Sequence, residues 1–228
     1  MTSTSERLLN SGVVAILRAD DSDGLLRAAE AVAAGGVTAI EVALTTPGAL
    51  KVIAEAVDGF GDEVAFGAGS VLDAESARAA LLAGAQFVVA PTVDVGTIEL
   101  CRRYGVPVLP GAYTPTEILT AWQAGADFVK VFPAQVGGPA YLKAVKAPLP
   151  QVRLAAVGGV TVDNAAEFVR CGAELIGVGG DLVDGRLVSD GDFAAIEQRA
   201  ARFVAAVELG RRSRFGDRTT PAATVVAR

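Results

Sequence analysis

The sequence predicts an α/β fold, a single-domain (β/α)8 barrel of the TIM-barrel type, and three observations carry the prediction. One phrase recurs eight times: a short apolar run, a Gly/Pro/Thr/Asp break, then an alanine-rich helical stretch that often ends in Ala-Gly. The repeat is about as long as a minimal βα unit, and eight parallel strands with right-handed crossovers close into a barrel. The chain has 228 residues, which suits one such barrel, and its 51% apolar fraction is enough for a large core.

The units follow in order. Val13–Leu17 is the first strand, and helix Asp23–Ala34 stops at Gly35-Gly36. Ala39–Leu44 precedes helix Gly48–Val57. Ala65–Gly69 precedes helix Ala74–Leu82, which ends at Gly84, and Phe87–Ala90 precedes Val95–Tyr104, which ends at Gly105. Val108–Pro110 leads into helix Pro115–Ala124 and Gly125. There Thr114-Pro115-Thr116-Glu117 is a capping box with proline at the first helical position, so Glu117 reads as structural. Phe128–Phe132 precedes Pro139–Ala147, Leu154–Val157 precedes Val162–Arg170 and Gly172, and Leu175–Val178 precedes Asp190–Glu208. The barrel is thus assigned to residues 1–209. Residues 210–228 alternate Arg211, Arg212, Arg214 and Arg218 with Gly, Ser, Asp and Thr, and read as a frayed tail. An open doubly wound sheet is the competing fold. Gly67-Ala68-Gly69 hints at its dinucleotide loop, but Leu72 stands where the third glycine should be.

Composition narrows the chemistry. The net charge of −6 disfavours nucleic acid and anionic membranes as partners. No uninterrupted 18-residue apolar run predicts a transmembrane helix, and Met1–Asn10 lacks the apolar centre of a signal peptide. Cys101 and Cys171 fall in helical patterns outside any metal-spacing motif and read as idle thiols of a reducing cytoplasm. The chain has no histidine, which removes imidazole general-base chemistry and His-containing metal sites. No metal or organic cofactor is expected.

The chemistry collects at the C-terminal ends of the strands, where a barrel places its active site. Lys130 sits alone among the β-branched and aromatic residues of Asp127-Phe128-Val129-Lys130-Val131-Phe132-Pro133. Burial favours the neutral amine, the form that attacks a ketone to make a Schiff base. The competing reading is a lysine whose stem packs while its head snorkels to water. Glu41 repeats the oddity on the second strand, in Ile40-Glu41-Val42. Together they read as nucleophile and general acid/base facing one cavity, against the alternative of a buried structural ion pair. Gly158-Gly159 and Gly179-Gly180 follow strands seven and eight, the usual phosphate site of a barrel. Arg18 ends strand one and could hold a carboxylate or phosphate.

With these residues in view, the chain resembles the 2-keto-3-deoxy-6-phosphogluconate aldolases, a class I, pyruvate-dependent aldolase family. The resemblance covers roughly residues 8 to 205. It rests on Ala15-Ile16-Leu17-Arg18, Ile40-Glu41-Val42, Gly67-Ala68-Gly69-Ser70-Val71-Leu72, Pro110-Gly111, Thr114-Pro115-Thr116-Glu117, Phe128-Val129-Lys130-Val131-Phe132-Pro133-Ala134 and Gly158-Gly159-Val160. It implies that Lys130 is the Schiff-base lysine, that Glu41 moves the protons, and that Arg18 and Ser70 hold the substrate. Gly159, Gly179 and Gly180, with Gly158 beside them, would line the phosphate end. Pro91, at the end of strand four, and Phe132 complete the candidate contacts. Thr45 stands where some members carry a substrate-binding arginine, and Gly180 where a serine usually contacts phosphate. Ala156-Val157-Gly158-Gly159 reads as in the galactonate-processing relatives, so the preferred C4 configuration stays open. The implied substrate is a 2-keto-3-deoxy sugar acid phosphate, the products pyruvate and glyceraldehyde 3-phosphate, and the assembly a homotrimer. The alternatives are an aldolase for unphosphorylated 4-hydroxy-2-oxoglutarate and a barrel that binds a phosphorylated metabolite without turnover.

Overall fold

In the computed structural model, residues 3–20 and 24–216 are described, the last two of them by backbone alone. Nine short strands form one all-parallel sheet: β1 (Val13–Leu17), β2 (Ala39–Ala43), β3 (Ala65–Gly69), β4 (Phe87–Val89), β5 (Val108–Leu109), β6 (Gly111–Ala112), β7 (Val129–Val131), β8 (Leu154–Val157) and β9 (Ala173–Val178). The order is β5-β4-β3-β2-β1-β9-β8-β7-β6. β5 and β6 are one barrel strand divided at Pro110, a residue with no N–H to give. Its first half pairs with β4 and its second with β7, which closes the ring. The eight expected units are therefore present, with the fifth strand interrupted.

Helices α2 (Leu25–Ala34), α3 (Ala49–Phe60), α4 (Ala74–Leu82), α5 (Val95–Arg103), α6 (Pro115–Ala124), α7 (Gly138–Lys146), α8 (Val162–Arg170) and α10 (Phe193–Gly216) supply the crossovers and the outer layer. Strand alternation sorts the core into two sets. Val13, Ala15, Leu17, Ile40 and Val42 join the layer between strands and helices. Val14, Ala39, Ala65, Phe87, Val89, Leu109, Phe128, Ala155, Val157 and Leu175 fill the barrel with Leu8. Among the described residues no helix is long and apolar enough to cross a membrane.

Three features depart from the sequence expectation. Thr4–Ser11 forms helix α1, which packs against β1, β2, β3 and β9. Its capping box, Ser3 with Glu6, was readable; its eight residues are too polar to announce a buried face. A short helix α9 (Gly185–Ser189) precedes α10. The last helix begins at Phe193 and runs on to Gly216, so residues 210–216 belong to the folded body rather than to a tail. Gly210 does not stop it. A Cβ there would lie 2.5 Å from the Ala166 carbonyl, so this glycine lets α10 lie close against α8. Arg211 then donates to the Asn10 carbonyl at 3.0 Å and the Leu9 carbonyl at 2.6 Å, tying α10 to α1. Asp23, the expected start of the first crossover helix, and residues 217–228 lie outside the described residues. Cys101 is free and buried, which pushes its thiol up to about 11 and leaves it inert; Cys171 is free and half-buried.

Candidate active site

A cavity of about 650 Å³ opens at the C-terminal ends of the strands. Lys130 reaches it from the middle of β7, where it is paired with Gly111 on one side and Ala155 on the other. Its backbone N–H donates to the Pro110 carbonyl at 2.9 Å. Alternation turns Phe128 into the barrel and Lys130, with Phe132 after it, onto the cavity wall, while Val129 and Val131 face the helices. The side chain is only 6% exposed, and its Nζ lies 4.8 Å from the centre of the Phe132 ring, close enough for a cation–π contact when charged. Phe132 is joined to Pro133 by a cis peptide bond.

Glu41 enters from β2 and is 2% exposed. It is paired with Ile16 on β1 and Gly67 on β3. Its carboxyl needs the bareness of β3: a Cβ at Gly69 would fall 2.5 Å from Glu41 Oε1. Loss of water dominates both titrating groups. Burial pushes Lys130 down from the ordinary lysine value; the Glu41 charge works against this, and Arg18 works with it. Burial pushes Glu41 up from the ordinary carboxylate value, while Lys130 and Arg18 oppose it. Both shifts favour the uncharged forms, a neutral amine and a protonated carboxyl.

Arg18, just past β1, donates from Nη2 to Ser70 Oγ at 3.0 Å. Ser70 follows β3 with φ of 59°, a left-handed conformation uncommon for a residue with a Cβ. Arg18, Glu41, Ser70, Pro91, Lys130, Phe132, Gly158, Gly159, Gly179 and Gly180 all line the one cavity. Thr45, which stands where some members carry an arginine, is not among the residues that line it. The chain turns after β2, with Thr46 N–H donating to the Ala43 carbonyl at 2.9 Å, and Thr45 is left exposed. Thr46 is the buried one of the pair, and its Oγ1 accepts from the Ala19 N–H at 3.2 Å. Glu117 is structural as expected: its carboxylate accepts from the Tyr113 and Thr114 N–H groups at 2.9 and 2.8 Å. The sequence reading missed Ile16, Asp181 and Asp184 as lining residues. Alternation with Val14 was enough to turn Ile16 inward. Asp181 stood directly after Gly179-Gly180, but an acid carries no signal in a site expected to bind an anion.

Comparison with known proteins decides the family. Residues 4–199 match the family model described as KDPG and KHG aldolase. The chain belongs to this aldolase family. It is 40% identical over 171 residues to the 2-dehydro-3-deoxy-6-phosphogalactonate aldolase of Escherichia coli K12, covering 75% of this chain and 83% of that one. It is 36% identical over 188 residues to the 2-dehydro-3-deoxy-phosphogluconate aldolase of Pseudomonas aeruginosa, covering 82% and 84%. Among solved structures, a KDPG aldolase of Legionella pneumophila with pyruvate captured as a covalent carbinolamine superposes with a TM-score of 0.78 at 27% identity, covering 86% of this chain and 95% of that one. The present chain is thus an aldolase, a carbon–carbon lyase, on a barrel of the family's kind.

Proposed function

We propose that this aldolase cleaves a 2-keto-3-deoxy-6-phospho sugar acid, the gluconate or galactonate epimer, through a Schiff base on Lys130. The observation that carries the reading is a lysine and a glutamate, both almost fully buried, on the walls of one open cavity. The neutral Nζ of Lys130 adds to the C2 ketone. Glu41, protonated at rest, gives its proton to the departing hydroxyl as the carbinolamine loses water, leaving a Glu41 carboxylate and an iminium that acts as an electron sink. Glu41 takes the proton of the C4 hydroxyl, directly or through a water. The C3–C4 bond then breaks, its electron pair moving into the C2–C3 enamine as the aldehyde leaves. Glu41 returns a proton to C3, and hydrolysis of the new iminium releases pyruvate and the amine. Arg18, steered by Ser70, is suited to the substrate carboxylate. The relatives named for the galactonate and gluconate phosphates support this substrate class. A cytoplasmic homotrimer belongs to the same proposal, and a solution mass of three chains checks the assembly.

The test is borohydride reduction in the presence of pyruvate, read by mass spectrometry. Wild type should gain a reduced pyruvyl adduct on Lys130. Lys130→Ala should lose the adduct and drop turnover by roughly 10⁴-fold or more, the scale expected when a covalent nucleophile is removed. An adduct that survives in Lys130→Ala assigns the chemistry to another lysine.

A further inference from the structure

The charges lining the cavity are unevenly spread over its strands. Two cations and three carboxylates face it: Lys130 and Arg18 against Glu41, Asp181 and Asp184. Lys130 is deep on β7. The Arg18 guanidinium reaches past β2 to Ser70 beyond β3. The side of the cavity between β7 and β1 is built by Gly158-Gly159 after β8 and by the segment from Gly179 to Gly185 after β9. Its only charged lining residues, among those described, are the two aspartates. Asp181 is exposed at the rim, and half-buried Asp184 accepts the Arg186 N–H at 2.9 Å with one oxygen. Arg199 reaches this corner only through the Asp181 backbone carbonyl, at 3.5 Å, and does not line the cavity. This side also has spare room, since a Cβ at Gly180 would meet nothing within 4 Å.

A carboxylate accepts a hydrogen bond from a hydroxyl but repels a dianionic phosphate, and a partly desolvated cavity strengthens both effects. We propose that Asp181 and Asp184 make the β8–β9 side of the cavity a hydroxyl-accepting subsite, so that the aldolase cleaves 2-keto-3-deoxy sugar acids ending in an uncharged hydroxyl about as well as those ending in phosphate. The backbone at the glycine pairs lets the phosphate in, and the two acids cancel the gain. This rests on the Schiff-base reading, which puts the keto-acid end of the substrate at Lys130 and Arg18 and its tail at the aspartates. It also disfavours substrates whose far end is a carboxylate.

The experiment compares kcat/KM for 2-keto-3-deoxygluconate and its 6-phosphate in the full chain and in the double variant Asp181→Asn with Asp184→Asn. Asparagine keeps the helix cap at position 184. The wild-type ratio, phosphate over hydroxyl, should lie below ten, and the double variant should raise it at least threefold. A wild-type ratio of ten or more overturns the proposal, as does a smaller rise in the variant. Salt provides a check that needs no variant. Screening weakens the repulsion, so the wild-type ratio should climb between low and high ionic strength, and a flat or falling ratio overturns the proposal. Pyruvate has no tail, so borohydride trapping on wild type reads the Schiff-base proposal alone. Trapping with an unfavourable ratio removes only the aspartate subsite; absent trapping removes the parent reading.

Discussion

The two ends of the barrel bury polar groups in opposite ways. At the N-terminal end, helix α1 closes the opening with Leu8, which is wholly buried among the inward-facing residues. The polar groups around it are hydrogen-bonded. Thr38 Oγ1 donates to the Arg7 carbonyl at 2.6 Å, Ser11 Oγ donates to the Val13 carbonyl at 3.1 Å, and Arg7 reaches the Asp62 carbonyl and Thr4 Oγ1 at 3.3 and 3.2 Å. Arg7 Nε is the one buried side-chain nitrogen or oxygen left without a partner among the described residues. At the C-terminal end, Lys130 and Glu41 are buried as deeply, but their environment acts on protonation instead, driving both toward their uncharged forms. One end uses burial for stability. The other holds it as altered acid–base character, and chemistry follows from that difference.

The sharpest way to break the comparison is Glu41→Gln. It keeps shape and burial and removes the titrating proton. Turnover should fall by about 10²- to 10⁴-fold, the usual worth of a general acid/base, while the pyruvate adduct on Lys130 remains detectable by mass spectrometry. Unaltered kcat would take Glu41 out of the mechanism and return it to the status of a buried structural acid. The matching substitution at the other end is Leu8→Ala. It should cost roughly 2–5 kcal/mol of stability in denaturant unfolding, because it opens a cavity where the helix closes the barrel. It should leave kcat unchanged at temperatures where the fold persists. A large loss of kcat would mean that the two ends are not independent.

The same contrast explains what was legible in the sequence. Strands such as Val13–Leu17, Ala65–Gly69 and Leu154–Val157 matched residue for residue, because a strand buried on both faces leaves a short apolar run bounded by turn residues. Lys130 and Glu41 were visible for the same reason, as single charges inside such runs. Helix α1 was not, since only Leu8 and a few neighbours bury and the rest of its sequence is polar. The continuation of α10 was hidden because Gly210 signals a helix stop locally, and only its approach to Ala166, distant in sequence, reveals a packing role. Charge at the β8–β9 side was in plain view at Asp181 and Asp184, but its meaning depends on where Arg18 points, which the sequence does not state.

The finest test asks whether Lys130 and Glu41 feel one another through the cavity. Only the neutral amine attacks pyruvate, so the rate of adduct formation should rise with pH as Lys130 loses its proton, along a limb centred below the ordinary lysine value. Burial is the main cause of that displacement and is kept in conservative variants. The two charged neighbours act with opposite signs. Glu41 raises the Lys130 value wherever its carboxyl is ionised, so Glu41→Gln should slide the limb to lower pH. Arg18 lowers it, so Arg18→Met should slide the limb to higher pH. Opposite displacements from two substitutions on two different strands have no source in a general loosening of the fold, which would move both limbs toward the ordinary lysine value. If both variants shift the limb upward, the lysine is responding to water entering the cavity, and the two ends of the barrel differ in packing alone.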